Sequence, residues 1–254
     1  MSDAVASASE LALGLFKKGV KAWNKSDKTP ITEADLAVDR ALQDRLMGAR
    51  PGYGWLSEET KDDASRLERR RVWIVDPIDG TKGFVRGNDQ WCISAALVED
   101  GEPVVGVIAN PATGEVFEAV RGAGAMLNGK PLEAPKRCDV AGCTLVMHQS
   151  IVGSGKWGKP WPDLSLAMWN SMALRLCRVA TGEAHGAVVV SHKCDWDLAA
   201  ADLIVSEAGG RVTGLTGDTM RYNKPETRHR GVVGAGLALH EGLLEHTCGW
   251  TYEE

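Results

Sequence analysis

Val72-Trp73-Ile74-Val75-Asp76-Pro77-Ile78-Asp79-Gly80-Thr81 is an apolar run that ends in two carboxylates three residues apart. The run predicts a buried strand, and the acidic stretch after it predicts a carboxylate metal loop at the strand's end. Hard oxygen ligands of this kind suit Mg²⁺ or Mn²⁺ rather than Zn²⁺. Gly80-Thr81 offers backbone N–H groups to an anion, so the stretch reads as metal plus phosphate. Pro77 has a fixed φ and holds Asp76 extended, which positions the carboxylates before a cation arrives.

Acidic turns are common and most are only solvated, so the weight falls on two further features. Upstream, Ser57-Glu58-Glu59-Thr60 follows Tyr53-Gly54-Trp55-Leu56, a second acidic pair at the end of an apolar segment. Downstream, Asp195-Trp196-Asp197 precedes residues 198–205, apolar apart from Asp202, and the stop Glu207-Ala208-Gly209-Gly210. That pattern is a helix with an acidic start and a glycine end, with Asp197 in its first turn. Thr32-x-x-Asp35 matches a capping box for a helix carrying Leu36, Val38, Leu42 and Leu46.

Together these motifs resemble the signatures of the inositol monophosphatase-like family, in matching order over residues 29–210. That family includes inositol monophosphatases, 3′(2′),5′-bisphosphate nucleotidases and a branch of histidinol-phosphate phosphatases. The resemblance implies a layered αβαβα sandwich, with an α+β first half and an α/β second half. It also implies a Mg²⁺-dependent phosphomonoesterase acting on a small phosphorylated polyol, sugar or nucleotide, with two or three Mg²⁺ ions, Mn²⁺ as a substitute, and inhibition by Li⁺. By the same resemblance Glu58, Asp76 and the Ile78 carbonyl hold one ion, and Asp76, Asp79 and Asp197 a second. Thr81 orients an attacking water and hydrogen-bonds Asp35, so Asp35 carries two readings, helix cap and catalytic partner. Gly80 and Thr81 bind the phosphate, and Glu59 stands behind the ligands.

Substrate signals are weaker. Lys82 in Thr81-Lys82 is closer to the nucleotidase and histidinol-phosphatase branches. The position where inositol monophosphatases place a hydroxyl-binding glutamate is Val189 or Val190 here, and Met172 in Asn170-Ser171-Met172-Ala173 is expected to reshape the pocket. His192 and Lys193 read as either a solvated loop or partners for a second anionic group. The alternatives are a histidinol-phosphate phosphatase or a regulatory, low-turnover binding member of the family.

The chain has 254 residues, 44% of them apolar and 25% charged, with a net charge of −5. This supports a substantial core in two packed halves, 1–135 and 136–254, and argues against a general nucleic-acid surface. Six cysteines without metal or paired spacing point to a reducing cytoplasm, and six histidines lack metal-site spacing. The apolar residues 11–16 are too few to cross a membrane and read as part of an amphipathic helix. With the resemblance, the expected partner is a small phosphorylated substrate, without membrane, and a homodimer is compatible with the sequence.

Residues 91–120 read as an antiparallel meander, with hairpin turns at Asp100-Gly101 and Asn128-Gly129. Further on, strands are expected at 145–147, 187–190 and 231–234, and a helix over 164–181. Gly153-Ser154-Gly155-Lys156-Trp157-Gly158-Lys159-Pro160 imitates a nucleotide-binding P-loop. Proline stands where that loop needs a hydroxyl, so the segment reads as a surface loop with Trp157 and Trp161 over a pocket mouth.

Overall fold

A computed structural model describes residues 1–25 and 29–252; residues 26–28 and 253–254 of the two expected halves lie outside the described residues. The first half holds α1 (Ser2–Lys18), the hairpin β1 (Ala22–Asn24) and β2 (Pro30–Thr32), and α2 (Glu33–Ala49). There follow β3 (Gly54–Ser57), β4 (Arg71–Asp79), α3 (Thr81–Val85), β5 (Cys92–Glu99), β6 (Glu102–Asn110), β7 (Glu115–Val120), β8 (Gly124–Leu127) and β9 (Lys130–Pro131). Strands β3 to β9 form one seven-stranded sheet in chain order, all antiparallel except the β3–β4 pair. Asp100-Gly101 and Asn128-Gly129 have positive φ at both residues, the geometry a two-residue hairpin needs.

The second half holds β10 (Thr144–Val146), α4 (Gln149–Val152), β11 (Ser165–Ala167), α5 (Met172–Thr181), β12 (Gly186–Cys194), α6 (Asp195–Glu207), β13 (Gly210–Thr213), β14 (Arg228–Gly236) and α7 (Leu237–Thr247). Its five-stranded sheet runs β11-β10-β12-β14-β13. The helix expected over 164–181 is shorter than its apolar pattern: residues 165–167 pair in parallel with β10, and the helix begins only at Met172. Ser171 sets that start, because its hydroxyl caps the Leu174 N–H.

Three apolar clusters define the layers. α1 and α2 cover one face of the seven-stranded sheet, α5 and α6 fill the space between the two sheets, and α7 with α4 covers the outer face of the five-stranded sheet. This is the expected αβαβα sandwich. The middle layer joins the halves, since Leu56, Ile74 and Phe117 share a cluster with Leu176, Leu198 and Val232. α6 lies close on β6: a Cβ on Gly106 would stand 2.9 Å from the Ala200 carbonyl, and the helix presents Ala199, Ala200 and Ala201. That close approach carries the start of α6, and with it Asp197, toward the first sheet.

The Gly153–Pro160 imitation has no helix after its glycines; α4 ends before it. Trp157 and Trp161 pack on each other and on Trp250 and His246, and neither lines the cavity beside the carboxylates. All six cysteines are free thiols. No helix among the described residues is long and apolar enough to cross a membrane.

Candidate active site

The carboxylate stretch lies within a strand rather than after one. β4 pairs with β5 at Asp76–Ser94 and again at Asp79–Cys92, with a bulge between them. A bulge adds backbone to one strand and re-aims its side chains. Here Asp76 turns back so that its Oδ1 accepts the Ile78 N–H at 3.0 Å. Gly80 then takes φ 95°, and a Cβ there would meet the Gln90 carbonyl at 2.5 Å. Only glycine fits this corner, after which α3 starts at Thr81.

Asp76, Asp79 and Asp197 each bring a carboxylate oxygen within 4.8 Å of the others. Asp76 is 1% and Asp79 5% exposed. Burial holds the Asp76 carboxyl well above the usual range, and the charges of Glu58, Asp79, Asp197 and Asp35 push it further. Burial, with Asp79 beside it, pushes Asp197 up to about 7. Burial also raises Asp79, against opposing hydrogen bonds from α5. Three carboxyls crowded in low dielectric stabilise either protons or a cation. The all-oxygen donor set suits a hard divalent ion, so the residues fit Mg²⁺ or Mn²⁺.

Two helix N-termini point into this cluster. The Ser171 hydroxyl donates to Asp79 at 2.6 Å, and the first amides of α5, from Met172 and Ala173, donate at 3.1 and 2.6 Å. At the start of α6, Asp197 accepts the Cys194 N–H at 2.6 Å. Each carboxylate sits at the positive end of a helix dipole, which orients it without neutralising it. Sequence reasoning missed this use of Ser171. Its capping pattern was visible, but a partner 92 residues away is a tertiary fact. Met172, expected to reshape the pocket, is instead buried in the middle-layer core.

Glu58 and Glu59 follow β3, and neither belongs to the group of three. Lys25 holds both, at 2.8 and 2.7 Å. Burial pushes Glu59 up to about 7 despite its bond to Lys25. Glu58 nonetheless stands near enough for its charge to bear on Asp76, Asp35 and Asp197. The segment is fixed from α2: Asp39 accepts the Ser57 hydroxyl and, at 2.6 Å, the Thr60 hydroxyl. Nothing in the sequence singled out Lys25 or Asp39.

Asp35, one turn before Asp39, makes the expected helix cap and lies within hydrogen-bond reach of Thr81. With Thr32 it forms the capping box of α2, its Oδ2 accepting the Thr32 N–H at 2.8 Å. Its Oδ1 lies 3.2 Å from the Thr81 hydroxyl, which is also 3.0 Å from the Ile78 carbonyl. Burial raises the Asp35 carboxyl, partly offset by Thr32.

Beside the trio, Lys193 and Arg175 line a cavity of about 330 Å³ with Val189 and Val190. His192 turns away toward the Tyr252 ring.

The sequence model of the inositol monophosphatase family matches residues 2–250. A histidinol-phosphatase of Mycobacterium tuberculosis is 40% identical over 204 residues, covering 76% of this chain and 77% of that one. An inositol-1-monophosphatase of Rhizobium meliloti is 35% identical, covering 74% and 73%. Among solved structures, an IMPase of Thermotoga maritima superposes with a TM-score of 0.81 at 26% identity, covering 96% of this chain and 93% of that one.

Proposed function

Because the chain belongs to the inositol monophosphatase family, whose members are phosphatases, we propose that it hydrolyses a small phosphomonoester in a Mg²⁺-dependent reaction, with water as the nucleophile. The observation that carries this reading is the convergence of buried Asp76, Asp79 and Asp197 at the N-termini of α5 and α6. Asp76, Asp79 and Asp197 would hold one ion, and Glu58, Asp76 and the Ile78 carbonyl another. Bound there, the ions would supply neutralisation of the ester's charge and a more acidic water.

The chain's own residues do the rest. Asp35 fixes the Thr81 hydroxyl, which would orient the attacking water. The N–H groups of Gly80 and Thr81, at the corner that only glycine permits, receive the phosphate oxygens. Lys25, shared with Glu59, keeps Glu58 in place. Free thiols throughout support a reducing, cytoplasmic setting.

A phosphate-release panel of inositol 1-phosphate, histidinol phosphate, adenosine 3′,5′-bisphosphate and fructose 1,6-bisphosphate, with Mg²⁺ and with EDTA, tests this. Release from at least one ester, abolished by EDTA, is expected; none from any sinks the reading. The 40% identity to a histidinol-phosphatase favours histidinol phosphate as a second, narrower reading, decided by the same panel.

A further inference from the structure

The cavity beside the carboxylate trio lies among α4, β11, α5 and β12. Met147, Met168 and Val189 give it an apolar wall, Arg175 and Lys193 give it two cations, and no Asp or Glu lines it. The volume, about 330 Å³, is at the small end of the range for small-molecule sites.

Both cations are unspent. Arg175 uses its Nε on the Trp169 carbonyl at 2.7 Å, which fixes the guanidinium, while its η nitrogens have no hydrogen bond or ion pair among the described residues. Lys193 Nζ has none either. The buried Arg66 and Arg178, by contrast, are each held by a carboxylate. The bulge between Val189 and His192 separates the two faces of β12 here, with Lys193 at the cavity and His192 turned to Tyr252.

Offsetting the trio does not account for the pair. Their charges do reach Asp79 and Asp197. Yet Asp79 already accepts three hydrogen bonds, from Ser171 and the first two amides of α5, and divalent ions on the trio would leave both cations facing the cavity uncompensated. Two like charges against an apolar wall focus a positive potential, and a planar guanidinium with free η nitrogens matches an oxyanion.

We propose that this cavity is a subsite for a second anionic group of the substrate, bound by Arg175 and Lys193. The ester is then a bisphosphate, or a phosphate ester that also carries a carboxylate, rather than a neutral polyol phosphate; this proposal and the narrower histidinol-phosphate reading exclude each other. This rests on the phosphomonoesterase reading.

Matched pairs at saturating Mg²⁺ test it: adenosine 3′,5′-bisphosphate against adenosine 3′-monophosphate, and 3-phosphoglycerate against glycerol 3-phosphate. The member with the extra anion is expected to have a kcat/KM about 10-fold or more higher, through KM, and the advantage should shrink as salt rises. An advantage in the first pair alone assigns the subsite to phosphate, and one in both pairs to either anion. Lys193→Gln and Arg175→Gln should each remove most of that advantage. Arg175 is largely buried, so Lys193→Gln carries the test if the other variant does not fold. Equal kcat/KM within both pairs, or variants that depress both members of a pair by one factor, overturns the proposal. If no ester is hydrolysed, the phosphatase reading fails separately. Calorimetric binding of the same pairs to wild type and Lys193→Gln then decides the subsite, equal affinities within each pair overturning it.

Discussion

Thr81 has one hydroxyl proton and two acceptors within reach, Asp35 Oδ1 and the Ile78 carbonyl. Whichever takes the proton, the oxygen's remaining lone pair has a fixed direction, which is what orienting a water requires. Thr81→Ala is expected to lower kcat by about 10²–10³-fold with little change in the Mg²⁺ concentration for half-maximal rate. Asp35→Asn should act in the same direction, and the double variant should be little worse than the more damaged single one. Multiplying effects would leave Asp35 only its cap, whose loss costs about 1 kcal/mol of stability. Asp79→Asn should abolish turnover while leaving a cooperative melt without metal; turnover near wild type would remove Asp79 from the ligand set. Thr81, Asp35, Ile78 and Asp79 were legible in the sequence; Ser171 and Lys25 were not. Acidic motifs carry their spacing in the chain, whereas those two act on partners 92 and 33 positions away.

At the scale of elements, the site is a meeting of a bulged strand with two helix starts. Gly80 is the corner between β4 and α3. Gly80→Ala places a methyl 2.5 Å from a backbone carbonyl at a φ that L-residues rarely adopt. A loss of about 2–4 kcal/mol is expected, combining the left-handed penalty with overpacking. The urea midpoint measures it, and a shift equivalent to less than about 1 kcal/mol would show that the corner relaxes. The apolar run alone made the metal loop look like something appended to β4. The strand continues through it because β5 supplies partners on both sides of the bulge. The helix expected from residue 164 failed for a related reason. An apolar run beside a sheet edge pairs with β10 before it can coil.

For the whole molecule, the carboxylate cluster sets a pH dependence. Asp197 and Glu59 are raised to about 7 from the ordinary carboxyl range near 4. Their contribution to stability without metal is therefore greatest below the unfolded value and is lost as pH climbs through about 7. Melting temperature should fall from pH 5.5 to pH 8 in EDTA, and Mg²⁺ should raise it most at pH 8, where it replaces the missing protons. A metal effect independent of pH would contradict this linkage. The chain passes from one sheet to the other between Pro131 and Thr144, yet the middle layer draws its core from residues on both sides of that crossing. We expect residues 1–135 expressed alone to show no cooperative thermal transition; a sharp melt would make the halves independent domains. The family, the layer order and the candidate acidic residues were legible in the sequence itself, since short motifs and hydrophobic periods are local properties that survive without coordinates. Only the tertiary structure decided that Ser171 and the α5 amides grip Asp79, that Lys25 sits between Glu58 and Glu59, and that Lys193 rather than His192 faces the cavity. Each of those depends on how strands and helices far apart in the chain pack, which no window of sequence contains.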